Sequence, residues 1–326
     1  MTGSGPVTRC VLIVGWGFLG ATIGQRLLAD GITVTGLTRS QTSRTDRGRR
    51  AGARIIVGDA LHPELLDIAL RDVDHVVFSA GGHTPAAAAA HPSEAAIGML
   101  LPLMAVLEAL SKRPHVGMTY MSSGGAVYGN PVRLPVRETD APRPISPYGA
   151  LHLAAEGYAE MSSRRSGSTL QIVRCSNVYG PDQAHDRDQG AVAIFFHRIS
   201  QGIPIRIFGD GSALLDYVFV EDVADAVSRI VAGRIDTGII NVGSGAGLTV
   251  LEIVEAISGA AGKAAVIDHA PARSFDARSS VLDITRAQSL LDYSPADFAR
   301  GLTATAAAHL RGARDQSADP GTLVNH

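Results

Sequence analysis

Two cysteines in 326 residues are too few for a disulfide framework. Cys10 and Cys175 each fall inside an apolar, strand-like run, so both read as small buried hydrophobes in a reducing compartment, not as a disulfide or metal pair. Charge of one sign is missing too. With 29 Lys and Arg against 31 Asp and Glu, the net charge of −2 gives no basic excess to hold nucleic acid or an anionic membrane, and there is no acidic tail. No uninterrupted apolar run reaches membrane-spanning length, and Met1 to Thr8 has neither the basic nor the apolar region of a leader peptide. A cytoplasmic protein acting on a small molecule is therefore expected, with no nucleic-acid or membrane partner. His185 and His197 stand in no metal-ligand spacing, so no metal is expected.

What the chain has is alternation. Cys10 to Val14, Ile32 to Leu37, Arg54 to Val57, His75 to Ser79, Val116 to Met121 and Leu170 to Arg174 are β-branched runs that look buried on both faces. Between them Phe18 to Ala29, Glu64 to Leu70, Glu94 to Leu110 and Pro147 to Met161 show helical spacing. Strands alternating with helices predict an α/β fold with a Rossmann-type doubly wound parallel sheet. After residue 178 the elements shorten (Ile205 to Phe208, Tyr217 to Val220, Ile239 to Val242) and a loop rich in Asp, Gln and His spans Pro181 to Gly190. The expected organisation is a dinucleotide domain over 1–178 with a return segment near 213–243, a smaller α/β substrate lobe over 179–312, and a flexible tail over 313–326. The Ala86 to Ala90 run reads as a loop or a helix start.

Gly15-Trp16-Gly17-Phe18-Leu19-Gly20 follows the first strand directly and opens a helix, the context that gives G-x-G-x-x-G its meaning. Gly15 permits the tight turn, Gly17 lets backbone approach a pyrophosphate, and Gly20 allows close helix packing. Phe18 and Leu19 begin the helix whose N-terminus attracts the anion. At the end of the second strand, Thr38-Arg39-Ser40 contains no carboxylate for ribose hydroxyls. Arg39, helped by Thr38, Ser40 and Arg44, suits a 2′-phosphate, so NADP is favoured over NAD; a solvated surface cation is the alternative. Asp59 and Ala60 follow the third strand, where Asp59 either faces an adenine edge or caps the next turn. Ala80 and Gly81 after the fourth strand give the dinucleotide close passage, with His83 at the rim.

Tyr120-Met121-Ser122-Ser123-Gly124-Gly125-Ala126-Val127-Tyr128-Gly129, Ser146-Pro147-Tyr148-Gly149 and Arg174-Cys175-Ser176-Asn177-Val178-Tyr179-Gly180-Pro181 occur in an order that resembles the extended short-chain dehydrogenase/reductase family. The similarity is to its nucleotide-sugar epimerases and dehydratases, and it covers residues 9 to about 300. The resemblance implies a tyrosine that exchanges a proton with a sugar hydroxyl, here Tyr148. It also implies a lysine four residues later that holds the nicotinamide ribose and lowers the phenol pKa. His152 stands at that place. An imidazole with an ordinary pKa near 6.5 is mostly neutral at cytoplasmic pH, so the phenol loses much of its electrostatic help.

Other positions depart from the family as well. The third active-site hydroxyl aligns with Gly124 or Ala126, leaving Ser122 and Ser123 as donors; a helical asparagine aligns with Met99, and a diphosphate-binding arginine with Leu215. The resemblance still assigns Asn177 to the nucleotide diphosphate, Arg273 to phosphate and Asp276 to the nucleotide ribose. Three functions stay open on these residues. The first is an NAD(P)-dependent enzyme on a nucleotide sugar, the second a same-fold enzyme on another alcohol or ketone, and the third a weakly catalytic cofactor-binding sensor or partner. Family likeness further implies a homodimer through the helices at Glu94 to Leu110 and Pro147 to Met161, with Leu100, Leu103, Met104 and Leu107 suited to that contact.

Overall fold

The computed structural model describes residues 10–81, 83–233 and 238–318. The first half runs β1 (Cys10–Val14), α1 (Phe18–Ala29), β2 (Thr33–Thr38), α2 (Ser43–Arg50), β3 (Arg54–Val57), α3 (Pro63–Ala69), β4 (His75–Phe78), α4 (Pro85–Ala90), α5 (Pro92–Ser111), β5 (Gly117–Ser123), α6 (Gly124–Val127), α7 (Pro147–Ser166) and β6 (Leu170–Cys175). The rest is β7 (Asn177–Tyr179), α8 (Ala191–Gln201), β8 (Ile205–Phe208), β9 (Leu214–Phe219), α9 (Val220–Gly233), β10 (Gly238–Val242), β11 (Gly247–Thr249), α10 (Val250–Ala261), β12 (Ile267–Ala270), β13 (Ser279–Ser280), α11 (Thr285–Leu291) and α12 (Phe298–Ala318). The expected tail over 313–326 is helical as far as Ala318, and 319–326 lie outside the described residues.

Seven parallel strands form the main sheet in the order β10-β6-β5-β4-β1-β2-β3. The order reverses between β1 and β4, and there the carboxyl ends of the strands open a crevice for a ligand. One core cluster joins β1 to α1, α9 and α11 through residues such as Ile13, Ile23, Leu27, Val227 and Leu291, and a second joins the same sheet to α3, α5 and α7 through Leu12, Leu66, Leu103 and Ala159. β9 pairs with β7, β11 and β13 in a small sheet, β8 pairs with β12, and the chain returns to the large sheet through α9 and β10. Cys175 is buried, whereas Cys10 is only half-buried, and both are free.

Two helices depart from expectation. Helix α2 has no apolar periodicity in Ser-Arg-Thr-Asp-Arg-Gly-Arg-Arg; it is held by a capping box in which Thr42 and Thr45 exchange backbone and side-chain bonds. Helix α5 is long and apolar enough, by length and composition, to cross a membrane. In this structure its inner face of Ala95, Met99, Leu103, Val106, Leu107 and Leu110 is buried.

Trp16, the first variable residue of the glycine motif, is 2% exposed. Its indole fills a cradle left by three glycines on three elements. A Cβ built on Gly24 would lie 2.4 Å from its Cη2, one on Gly36 2.4 Å from its Cε3, and one on Gly48 2.7 Å from its Cζ2. The indole Nε1 donates to the Arg44 carbonyl at 3.2 Å. One side chain thus locks α1, β2 and α2 around the turn that carries the motif.

This packing reverses the usual sign of a helical Gly→Ala change. Alanine in a helix interior is favoured over glycine by roughly 1 kcal/mol, but at Gly48 overpacking against Trp16 should cost about 1 to 3 kcal/mol. Trp16→Ala should itself cost about 3 to 5 kcal/mol, and in that background Gly48→Ala should become neutral or stabilising. Urea unfolding of the four proteins of this cycle measures the coupling; additive effects would show that the cradle does not exist.

Candidate active site

Helix α7 is started by its own sequence. Ser146 is the N-cap, its Oγ accepting from Gly149 N at 3.1 Å, and Pro147 fixes the first turn. Gly149 permits close approach to the short helix α6: a Cβ there would lie 2.5 Å from the Ala126 carbonyl oxygen. Tyr148, His152 and Glu156 then recur every four residues on one face. Tyr148 is half-buried, while His152 and Glu156 are 8% and 3% exposed.

Alternate residues of β5 meet that face in two rungs. The Tyr120 hydroxyl lies 2.9 Å from Nδ1 of His152, and Ser122 Oγ donates to Glu156 Oε1 at 2.5 Å. Arg174 of β6 grips Glu156 with both ends of its guanidinium, at 3.0 and 2.6 Å. It also donates to the Tyr128 hydroxyl at 2.9 Å, which donates in turn to Asn241 Oδ1 at 2.9 Å. Burial alone would lower the Arg174 pKa, but the hydrogen bonds and charge of Glu156 outweigh it and hold the cation. Because Ser122 is engaged in this network, its hydroxyl is committed to Glu156, and Ser123, half-buried at the end of β5, is the serine left for a ligand.

The reactive pair is neutral. Burial pushes the Tyr148 phenol up to about 12 against a hydrogen bond from Gln189 that lowers it, and burial pushes His152 down to about 4. The ring of Tyr148 stands edge-on to His152, centroids 4.6 Å apart. Ionising a phenol of pKa 12 into water at pH 7 costs about 7 kcal/mol, and the uncharged imidazole supplies no field to reduce that cost.

The dinucleotide cradle fits its expected ligand. Gly15 has φ +100°, and a Cβ on it would lie 2.6 Å from Ala80 N; one on Gly20 would lie 2.0 Å from the Gly15 carbonyl oxygen. Ser79 Oγ donates to that carbonyl at 2.8 Å. Gly17 differs, since a Cβ there would meet nothing within 4 Å. The protein does not demand glycine at 17, so the open space at the N-cap of α1, with Phe18 and Leu19 beginning the helix, suits a pyrophosphate. Ala80 and Gly81 border the turn from β4, and Gly82 lies outside the described residues. His83 packs on α5, its Nε2 2.4 Å from where a Gly98 Cβ would be.

The surroundings of Arg39 weaken the case for a 2′-phosphate. Thr38 is half-buried at the end of β2, and Arg39 and Ser40 are exposed. Arg44 donates to the Asp182 carbonyl, and Arg47 pairs with the Asp182 carboxylate at 2.8 Å, so neither helps Arg39. Asp59 accepts from Leu61 N at 3.0 Å, the turn-capping alternative, with Ala60 buried beside it.

On the substrate side, Asn177 Nδ2 donates to the Asp216 carbonyl at 2.9 Å. Arg273 Nε donates to Asp276 at 2.6 Å, and its guanidinium lies over the rings of Phe208 and Phe275 at 4.0 and 5.0 Å. The departures from the family are built in. A Cβ on Gly124 would lie 2.8 Å from Leu282 Cδ1, so a serine there needs Leu282 to move. Met99 is buried and Leu215 is half-buried. His185 stacks on His197 with centroids 3.9 Å apart, and His309 stands edge-on to both. No group of three or more metal-ligand residues occurs among the described residues. Sequence reasoning missed Tyr120, Gln189, and the Glu156–Arg174 pair. Tyr120 and Ser122 alternate on β5, and Glu156 follows His152 by four, so period-two and period-four spacing carried the signal for Tyr120 and Glu156 but not for Arg174 or Gln189.

The sequence model described as the NAD dependent epimerase/dehydratase family matches residues 11–243. A UDP-glucose 4-epimerase of Mycolicibacterium smegmatis is 32% identical over 285 residues, 86% of this chain and 91% of that protein. Among solved structures, the UDP-glucose 4-epimerase of Thermotoga maritima with UDP-glucose superposes with a TM-score of 0.87 at 28% identity, covering 94% of this chain and 100% of the other. That of Thermus thermophilus in complex with NAD gives 0.86 at 32%, also covering 94% and 100%.

The neutral histidine predicts how stability varies with pH. The folded pKa of His152, about 4, lies below its ordinary value of 6.5, so its contribution is complete above pH 6.5 and is lost as pH falls toward 4. Between pH 7 and 4.5 this amounts to roughly 2 to 3 kcal/mol. Denaturant unfolding should show His152→Gln losing that much less stability than the native chain over this interval. Equal losses would mean that His152 titrates in the folded protein as it does in the unfolded chain.

Proposed function

This chain belongs to the NAD-dependent epimerase/dehydratase family, and we propose that it is a UDP-hexose 4-epimerase that uses NAD. The observation that carries the reading is the placement of Tyr148: a half-buried phenol on the first turn of α7, near Cys175 at the carboxyl end of β6 and hydrogen-bonded by Gln189. The names of the Mycolicibacterium and Thermotoga proteins support the UDP-sugar. The family description and the Thermus complex support NAD over the NADP expected from Arg39, as does the engagement of Arg44 and Arg47 with Asp182.

When bound, NAD supplies hydride exchange with the sugar carbon. Tyr148 takes and returns the proton of the sugar hydroxyl, Ser123 orients that hydroxyl, and His152 donates to the cofactor ribose. Gly15, Gly17 and Gly20 admit the pyrophosphate. Asn177 and Arg273 receive the UDP diphosphate, and Asp276 the nucleotide ribose. With a neutral partner beside Tyr148 and no hydroxyl at Gly124, turnover is slow.

Tyr148→Phe should lower the rate of UDP-glucose to UDP-galactose conversion by about 10² to 10⁴ while leaving NAD affinity within a few-fold. Calorimetry should show NAD binding at least about 10-fold tighter than NADP, a gap of 1.4 kcal/mol. Tighter NADP, or no loss of rate in Tyr148→Phe, contradicts the reading.

A homodimer is part of the same proposal, with two of the four expected contacts replaced and the half-buried Leu100 and Met104 still available. Leu103 and Leu107 are buried within the subunit, whereas Ile97 and Leu101 on α5 and Tyr158 and Met161 on α7 are exposed. These two packed helices supply an apolar face for a second copy. Light scattering should give a dimer that Ile97→Glu with Leu101→Glu converts to a folded monomer; a monomeric native chain contradicts it.

A further inference from the structure

We propose that Tyr120 is a positioning residue, whose hydroxyl donates to Nδ1 of His152 and so fixes the imidazole as the Nε2–H tautomer, offering one neutral N–H donor to the cofactor ribose. The last clause rests on the function proposed above; the tautomer does not.

The argument begins with what a buried phenol needs. Tyr120 is 3% exposed, on the central strand β5, and burial pushes its pKa well above 10, so it keeps its proton. Its hydroxyl lies 2.9 Å from Nδ1 of His152, and its nearest ring neighbour besides His152 is Phe78, with centroids 6.0 Å apart. Two arrangements satisfy that distance. If Nδ1–H donated to the phenol oxygen, the phenol proton would be a buried donor without an acceptor, and buried donors left unmade carry their full desolvation penalty. If the phenol donates to Nδ1, the one proton of the pair left without a partner is on Nε2 of His152, which is 8% exposed, and not on the Tyr120 phenol, which is 3% exposed. The second arrangement leaves the ring proton on Nε2.

Protonation of both nitrogens is opposed by the same surroundings. The groups facing the ring are Tyr120 from β5 and Tyr148 from its own helix, both neutral. The nearest carboxylate along the helix, Glu156, is occupied by Arg174 and Ser122. Nε2 has no hydrogen-bond partner among the described residues, and His152 retains 8% exposure, so the ring is closed at Nδ1 and keeps an outlet for its other donor.

The pair therefore acts as a unit. A lysine can swing three donors on a flexible stem, while an imidazole has one donor whose direction is set by ring orientation, and Tyr120 is what sets it. Tyr120→Phe keeps the ring volume and removes only the hydroxyl.

The test is ¹⁵N NMR of the histidine-labelled apoprotein, with the His152 resonances identified by their loss in His152→Gln, alongside NAD titration by calorimetry. The native chain should show His152 as Nε2–H at pH 7. Tyr120→Phe should give a mixed tautomer and weaken NAD binding about 3- to 10-fold. An Nδ1–H native tautomer, a tautomer unchanged in Tyr120→Phe, or unchanged NAD affinity after the tautomer is lost each overturns the proposal. Failure of the native chain to bind NAD would instead remove the proposed function, and the native spectrum would still decide the Tyr120–His152 bond by itself.

Discussion

The site depends on the burial of the inward face of α7, where Arg174 meets Glu156 and no cation stands beside Tyr148 or His152. Tyr148, His152 and Glu156 enter the same low-dielectric space, and each is held in one protonation state by what it meets there. Glu156 is matched by Arg174, a charged pair with every strong donor engaged. His152 meets only phenols and remains neutral, and Tyr148 is left with a raised pKa and no counter-charge. Replacing one ammonium by an imidazole thus changes more than a contact, because the electrostatics of the whole helix face follow from it.

The cofactor side rests on a different constraint, steric and not electrostatic. Trp16 binds α1, β2 and α2 together through the missing Cβ atoms of Gly24, Gly36 and Gly48, and Gly15 and Gly20 close the turn against Ala80 and Ser79. Gly17 alone among the motif glycines faces open space. The loop after β7 links the two sides of the crevice, with Asp182 holding Arg44 and Arg47 near the end of β2 and Gln189 reaching the Tyr148 phenol.

Much of this was legible in the sequence because its signals are local. The limits of β1, β3, β8 and α1 are those read from the chain, although β3, expected to be buried on both faces, lies at the sheet edge with Arg54 and Val57 exposed, and β8 alternates buried and exposed residues. The glycine motif was found by its spacing and context, and Tyr148 by the family resemblance of the segments around it. Helix α2 was not, since its stability comes from a capping box and from tertiary contact with Trp16 instead of an apolar stripe. The preference for NADP lost support for a similar reason: Arg44 looks available to help Arg39 in sequence, but Asp182, well over a hundred residues away, occupies it together with Arg47. Ser122 and Ser123 are adjacent and chemically alike, and only the alternation of β5 beneath α7 separates the one committed to Glu156 from the one left for a ligand. Leu103 and Leu107 looked suited to a second copy until their burial against the sheet was seen.

The most direct test of the account is the titration of the Tyr148 phenol, followed through its ¹³Cζ resonance in the tyrosine-labelled apoprotein. A neutral helix face predicts ionisation well above pH 10, and a fall of at least about one unit when His152→Lys introduces a charge, equivalent to 1.4 kcal/mol. Ionisation of Tyr148 near neutral pH in the native chain would contradict it.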